Sequence, residues 1–384
     1  MSNNTKAFGE RYPSHAGQQH MNHQIPDVMA AVLLTGHGGP EKLRYVEDYP
    51  TPKPGPGEVL IKVGACALNN TDIWVREAAY GSHDDPNARS SWRRDGAPLS
   101  FPHIQGADTA GHIVDVGGEV NLSRIGERIL VDFNLYGPDP NFLGDVDYIG
   151  HGRNGGYAEF MTVPATNARR VKTDLTDVEL STFCCAFHTG EHMLDRTRLR
   201  EGEHVLVTGA SGGVGTALVQ LCRARGAIPI AIVSHGKEKA LLDLGAAATI
   251  TRGHSDYYAQ VMELTDGRGV DVVADIVGGE FFNLALRALK PHGRYTTAGA
   301  IGGPVVPFDL RTMYIKHLEL HGSSQGSRAA FDRVVQLVED KALKPVVAGV
   351  FPLSQIHKAQ EEFVRKSFVG KLVVVPDSVL RHQK

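Results

Sequence analysis

Residues 203–226 read Glu-His-Val-Leu-Val-Thr-Gly-Ala-Ser-Gly-Gly-Val-Gly-Thr-Ala-Leu-Val-Gln-Leu-Cys-Arg-Ala-Arg-Gly, and no other stretch constrains the chain as much. An apolar run ends in glycines at 209, 212, 213 and 215. Val214, Ala217, Leu218, Leu221 and Cys222 then fall on one face of a helical repeat that stops at Gly226. The stretch therefore reads as strand, glycine turn and helix. Such a turn aims backbone N–H groups and the positive end of a helix dipole at an anion, and the missing side chains let a pyrophosphate come close. The spacing departs from G-x-G-x-x-G, and a tight strand-to-helix turn without a ligand uses the same residues. The remainder of the chain has to separate the two readings.

At 384 residues the chain exceeds one ordinary core and suits two domains. Its 42% hydrophobic and 22% charged residues are those of a globular protein. The net charge of -3, with no clustered Lys/Arg tract, argues against nucleic acid as a partner. No apolar run approaches the ~20 residues that span a bilayer, so no membrane partner is expected. Residues 1–26 are polar, lack an apolar h-region and are expected to form a loose extension without a secretory signal. Cys66, Cys184, Cys185 and Cys222 form no C-x-x-C pair; Cys66 and Cys222 lie in apolar patterns and read as reduced core thiols, which suits a cytoplasmic location.

From Met29 the pattern is strand-like over Ala30–Leu34, Leu43–Val46 and Val59–Ala67. The proline-rich Pro50–Gly57 reads as a surface crossing, and Thr71 or Asn70 is placed to cap a short helix carrying Ile73 and Trp74. Residues 81–100 are turn-rich, and Arg89, Arg93 and Arg94 there could gather an acidic substrate. Strands return at 101–117, Glu127–Phe133 and Tyr157–Val163, making this region mostly β.

After Asp177 the period changes. Asp177–Met193 reads as a helix interrupted near Phe187–Gly190. Strands at 204–208, 228–233, 247–251, 270–276, 293–298 and 317–321 then alternate with helices at 213–225, 236–244, 256–265 and 280–290. Strands separated by helices imply parallel pairing in a doubly wound, Rossmann-type sheet, so the fold class is α/β. Ala329–Lys341 adds a last helix, and the strand Lys371–Val375 is expected to return to the first domain. The boundaries expected are 27–170 with 342–384 for one domain and 171–341 for the other.

In a dinucleotide-binding fold, the end of the second strand meets the adenosine ribose, and an acid there favours a free 2′-hydroxyl. Here Ile230-Ala-Ile-Val233 runs into Ser234-His235-Gly-Lys237, with no acid before Glu238. A hydroxyl, an imidazole and an ammonium suit a 2′-phosphate, so NADP(H) is the cofactor expected. It would lie on Gly209, Ala210, Ser211, Gly212, Gly213, Val214 and Gly215, with Val277, Gly299 and Ala300 at the carboxyl edge of the sheet near the nicotinamide.

Together with Pro54-Gly-Pro-Gly-Glu-Val-Leu60, Ala67-Leu-Asn-Asn-Thr-Asp72, Gly106-Ala-Asp-Thr-Ala-Gly111, Gly155-Gly-Tyr-Ala-Glu159, Thr189-Gly-Glu-His-Met-Leu194 and Val369-Gly-Lys-Leu-Val-Val374, the glycine turn resembles the medium-chain dehydrogenase/reductase superfamily, in its zinc-independent quinone oxidoreductase and enoyl reductase branch. The resemblance runs from about Met29 to Pro376. It implies a GroES-like, mostly β catalytic domain built from both chain ends, an inserted Rossmann domain and an active site in the cleft between them. It also implies a homodimer or homotetramer joined through the edge of the Rossmann sheet, for which Leu318–Leu320 is the candidate.

Alcohol dehydrogenases of this superfamily hold catalytic zinc through Cys, His and Cys. Those positions fall on Asn69, Ala107 and Cys185; Asn and Ala cannot replace a thiolate and an imidazole, and the one remaining thiolate does not make a zinc site, so no metal is expected. His103, His112, His151 and His188 show no ligand spacing and read as ordinary polar residues.

By the same resemblance, the catalytic candidates are Tyr80, Asn69, Asp72, Thr189 and Cys185. Tyr80 would bind or protonate substrate, Asn69 and Thr189 would contact the nicotinamide or its ribose, and Cys185 would line the pocket; Asp72 is read as a helix cap. The activity implied is NADPH-dependent reduction of a quinone, enone or CoA-linked enoyl thioester. A zinc-free alcohol or carbonyl dehydrogenase and an NADPH-binding, crystallin-like or sensing protein without turnover are the alternatives.

Overall fold

The computed structural model of the chain describes residues 25–79, 99–139, 146–253 and 256–381, which form two compact units. The first takes the chain up to Cys184, with Val347–Ser367 and the segment from Lys371 onward. The second takes Cys185–Val346 and Phe368–Gly370. The expected boundary at 170 thus moves to 184, and that at 342 moves to 347. Arg128 is the reason for the first shift: its Nε and Nη2 donate to Asp177 Oδ1 at 2.9 and 2.8 Å, which ties Asp177–Leu180 to the β unit. Residues 368–370 join the second unit because Gly370 N donates to Ser211 O at 2.9 Å and Lys237 Nζ to Phe368 O at 2.8 Å.

The first unit is built on a seven-stranded sheet. Its order runs Val347–Pro352, Lys371–Val375, Glu58–Ala67, Asp108–Val116, Arg128–Val131 and Ala168–Arg170, with Phe160–Pro164 also pairing with Glu58–Ala67. Alternate residues Val59, Ile61 and Val63 pack with Ile113, Ile129, Val131, Met161 and Val163 into a buried core, as a period of two requires. The register sets Ala67 opposite both Asp108 and Val373. The carboxyl end of the Glu58 strand therefore lies between the starts of the Asp108 and Lys371 strands, which is what gathers the site described below. Val28–Leu34 and Leu43–Pro50 make a separate antiparallel pair. The strands expected at Glu127–Phe133 and Tyr157–Val163 are trimmed to Arg128–Val131 and Phe160–Pro164. The residues before Phe160 are drawn to other partners, with Tyr157 N donating to Gln105 O and Glu159 N to Ala30 O.

In the second unit six parallel strands run in the order Ala248–Thr251, Ile228–Val233, His204–Val207, Val270–Asp275, Leu289–Thr297 and Glu319–Gly322. This is a doubly wound order whose direction of growth reverses between the His204 and Val270 strands, the topological switch point. Val270–Asp275 is buried along its whole length, as a strand covered on both faces must be. The helix expected over Asp177–Met193 breaks at Cys184, giving Asp177–Leu180, a 3-10 turn at Ser181–Phe183 and a helix at Cys185–Arg196. Gly190, read from sequence as part of a break, lies inside that last helix. A Cβ there would stand 3.1 Å from Leu221 Cδ1, so the glycine permits close packing on Gly213–Ala224. Three helices, Leu310–Lys316, Ile356–Arg365 and Asp377–Arg381, were not foreseen.

Candidate functional site

In the second unit the His204 strand leaves the sheet at Thr208. Gly209 turns the chain at φ +55°, and Gly212 caps the helix Gly213–Ala224. Gly215 is required by packing, because a Cβ on it would sit 2.4 Å from both Ala210 Cα and Gly209 O. Gly212 has no such neighbour, with Gly209 O at 3.5 Å from its would-be Cβ, and leaves room for a ligand to meet backbone. Ala210 is buried with its N–H donating to Ile232 O at 3.2 Å, whereas Ser211, Gly212, Gly213 and Val214 are half-buried at the helix start. The start of this twelve-residue helix could hold an anion such as a pyrophosphate.

Beside it, at the switch point, lies a buried carboxylate that sequence reasoning missed. Asp275 accepts from Thr208 Oγ1 at 2.5 Å, Tyr295 Oη at 2.6 Å and Val277 N at 2.8 Å, and Thr208 Oγ1 in turn accepts from Ile276 N at 3.0 Å. Asp275 thus ties together the carboxyl ends of three neighbouring strands. Gly302 N donates to Val277 O at 2.7 Å, so the turn carrying Gly299 and Ala300 folds onto the turn carrying Val277. No local motif marks this hub. An acid at the carboxyl end of a strand buried along its whole length was the available signal.

Ser234 is half-buried at the end of the Ile228 strand, His235 is almost fully exposed, and Lys237 precedes the helix Glu238–Asp243. Burial, and then the charge of Arg252, lower the pKa of Lys237. Arg252 was not foreseen. Strand register pairs Val233 with Thr251, and Arg252 N donates to Val233 O at 2.6 Å, which sets this cation beside the Ser234 turn. Glu238, the acid nearest this edge, accepts from Thr251 Oγ1 at 2.8 Å. Thr189 is buried on the helix Cys185–Arg196, one turn from Cys185, whose Sγ lies 3.9 Å from its Oγ1.

In the first unit Asn69 caps the helix Asn70–Arg76, in place of the expected Thr71 or Asn70, because its backbone is still extended (φ -130°, ψ 160°) while Asn70 is already helical. Asp72 completes a capping box, accepting from Asn69 N at 2.8 Å, and also accepts from Tyr157 Oη at 2.7 Å. Burial raises the Asp72 carboxyl to about 6, against the opposing pull of these two hydrogen bonds. Gly106 admits the tyrosine: its φ is +102°, and a Cβ there would meet the Tyr157 ring at 2.7 Å and Cys66 Sγ at 2.9 Å. Lys371 Nζ donates to Asn69 Oδ1 at 2.6 Å and to Asp108 Oδ2 at 2.5 Å, with Asp108 fully buried and Lys371 nearly so. Neither Asp108 nor Lys371 was singled out from sequence. Asn69 Nδ2 is buried and meets no acceptor among the described residues.

Tyr80 lies outside the described residues, as do Arg89, Arg93 and Arg94. Asn69 and Asp72 come together in one unit, and Thr189 and Cys185 in the other. Of the histidines, His188 Nε2 lies 2.9 Å from Ser327 O, His151 Nδ1 lies 2.8 Å from Asp147 Oδ1, and His112 is 3.9 Å from Asp177. Among the described residues no three His, Cys, Asp or Glu side chains are grouped to hold a metal ion, and no helix is long and apolar enough to cross a membrane.

Two family models match the chain, the alcohol dehydrogenase GroES-like domain over residues 55–173 and the zinc-binding dehydrogenase over 213–340. The acryloyl-coenzyme A reductase of Metallosphaera sedula is 30% identical over 90% of this chain and 99% of its own length. The NAD-dependent alcohol dehydrogenase of Sulfolobus acidocaldarius is 29% identical with the same coverage. Among solved structures, a candidate alcohol dehydrogenase from Sinorhizobium meliloti 1021 is 63% identical, with a TM-score of 0.89 over 92% of this chain and 98% of the other.

Proposed function

This chain belongs to the medium-chain dehydrogenase/reductase superfamily of oxidoreductases, and from that premise we propose that it is an NADPH-dependent reductase of a conjugated carbon–carbon double bond or a quinone, working without zinc. The observation that carries the reading is the ammonium of Lys371 against Asn69 Oδ1 and Asp108. Relatives that use zinc place a thiolate at the first of these positions and an imidazole at Ala107. Here an amide oxygen already holds a cation, the alanine offers no donor, and a second cation would be repelled. A metal does not fit this donor set.

The residues do fit a pyridine dinucleotide. The turn from Gly209 to Gly215 and the start of its helix would hold the pyrophosphate. Ser234, His235, Lys237 and Arg252 would meet a 2′-phosphate, with no acid at the end of the Ile228 strand to repel it. Val277, Gly299 and Ala300 would offer backbone groups to the nicotinamide. Bound there, NADPH would supply the hydride for the β-carbon of a conjugated double bond or for a quinone, and the reduced product would take its proton from water or a weak acid.

Without a Lewis acid, alcohol oxidation lacks its usual way of stabilising an alkoxide, whereas an enolate needs only hydrogen-bond donors. Asn69 Nδ2 is such a donor. Asp72, capped and bonded by Tyr157, holds the helix that carries Asn69 and stays out of proton transfer. The acryloyl-coenzyme A reductase among the relatives fits this substrate class; the alcohol dehydrogenase names favour the zinc-free carbonyl alternative.

NADPH consumption is to be followed with a quinone, an enone, an enoyl-CoA and simple aldehydes, alongside metal analysis of the purified protein. Turnover confined to unsaturated substrates and quinones is the expected result. Turnover of aldehydes alone, or stoichiometric zinc, overturns it. Tight NADPH binding with no turnover points to a nucleotide-binding protein instead.

A further inference from the structure

We propose that Lys371 is a positioning residue: its ammonium fixes the amide of Asn69 so that Nδ2 faces the acceptor oxygen of a bound ligand. The inference rests on the reading above only for the identity of that ligand.

The amide of an Asn side chain can be turned so that its oxygen and nitrogen exchange places. Here chemistry decides it. An ammonium has three donors and no acceptor, so the Asn69 atom 2.6 Å from Lys371 Nζ is the oxygen, and the NH₂ lies on the opposite side. Asp108, fully buried and 2.5 Å from the same Nζ, neutralises the lysine and holds it in place.

The backbone of Asn69 is fixed independently. Its N–H donates to Asp72 Oδ2, so the residue cannot turn as a whole. What is left is a buried NH₂ without an acceptor among the described residues. Leaving such a donor unmade costs about 1–3 kcal/mol, a cost the fold recovers only when an oxygen is bound there. The acceptor chemistry is an uncharged or enolate-like oxygen, which either a substrate carbonyl or a cofactor hydroxyl can supply. The ion pair of Lys371 and Asp108 therefore acts through Asn69 and need not touch the ligand.

Lys371→Met alone would strand the Asp108 carboxylate, so the test uses the charge-balanced pair Asp108→Asn with Lys371→Met, then Asn69→Ala, then all three together. Circular dichroism and thermal melting establish which variants fold. The first readout needs no activity. With selectively ¹⁵N-labelled asparagine, the Asn69 side-chain NH₂ of the parent gives a pair of proton signals protected from exchange with water, and in the charge-balanced pair these signals shift and exchange with water faster. Unchanged signals in that variant overturn the proposal.

The second readout is a cycle on turnover of the best substrate and on NADPH affinity. The charge-balanced pair and Asn69→Ala each lose about tenfold or more, and the triple variant loses no more than Asn69→Ala, since Lys371 has nothing left to position. Additive losses overturn the proposal. Loss in turnover with unchanged NADPH affinity assigns the oxygen to the substrate, and a parallel loss of NADPH affinity assigns it to the cofactor. If the parent reduces no substrate in the panel, the functional reading fails, and the ¹⁵N signals still decide the role of Lys371.

Discussion

The hydroxyl of Tyr157 donates to Asp72 Oδ2 at 2.7 Å, joining side chains 85 positions apart in a fully buried contact. Asp72 is a carboxylate whose burial raises it to about 6 even though this bond favours its charged form. A raised acid stabilises the fold most when protonated, so its contribution is full below about 4 and is lost as the pH rises through about 6. The displacement from the ordinary 3.8 corresponds to something on the order of 3 kcal/mol. His103 and His188, which burial lowers to about 4 and about 3, give the opposite slope as the pH falls below 6.5. Comparing the parent with Asp72→Asn cancels them. Urea unfolding from pH 4 to pH 7.5 should show Asp72→Asn gaining on the parent as the pH rises; a difference that does not change with pH contradicts the account.

Lys237 and Arg252 predict cofactor choice. Each is expected to make a charge-assisted contact with a 2′-phosphate, so Lys237→Ala and Arg252→Ala should each weaken NADPH about tenfold and NADH less than about twofold. Fluorescence titration with both cofactors checks this. NADH binding as tightly as NADPH in the parent removes the basis for the prediction.

Gly215→Ala should abolish cofactor binding with little effect on the β unit. Its Cβ would press on Ala210 Cα and Gly209 O at 2.4 Å, and only a shift of the whole turn relieves contacts with backbone. A cost of about 2–4 kcal/mol follows for the nucleotide-binding unit. Hydrogen exchange should report faster opening of residues around the glycine turn and unchanged protection along Glu58–Ala67; uniform loosening counts against it.

The edge strand Glu319–Gly322 ends the Rossmann-type sheet, and the helix before it exposes Leu310, Tyr314 and Ile315, each more than half exposed. A second copy of this chain is expected to cover this apolar edge. Sedimentation should give a homodimer or homotetramer, and Ile315→Glu with Leu310→Lys should shift it towards the 41.5 kDa chain. A monomeric parent refutes the expectation.

Much of the fold was legible because its signals are short-range. Alternation along Glu58–Ala67 and the spacing of Val214, Ala217, Leu218 and Leu221 each lie within one element, where side-chain period reports which face is buried. Gly190 misled for the same reason. Locally it looks like a helix breaker, and only the approach of Leu221 shows that it serves packing. The helix Leu310–Lys316 escaped notice because it spans only seven residues, too few for its apolar positions to set a clear period.

By itself the sequence determined the glycine turn after His204–Val207, the alternation of strands and helices behind it, and the placing of an amide at Asn69 and a methyl group at Ala107. These are properties of neighbouring residues or of residue chemistry. Only the tertiary structure decided that Lys371 stands against Asn69, 302 positions earlier, that Asp275 binds Thr208 and Tyr295, and that Arg252 joins Ser234 at the end of the Ile228 strand. The physical reason is register. Hydrogen bonding between strands distant in the chain sets which polar ends meet, and no local period encodes that choice.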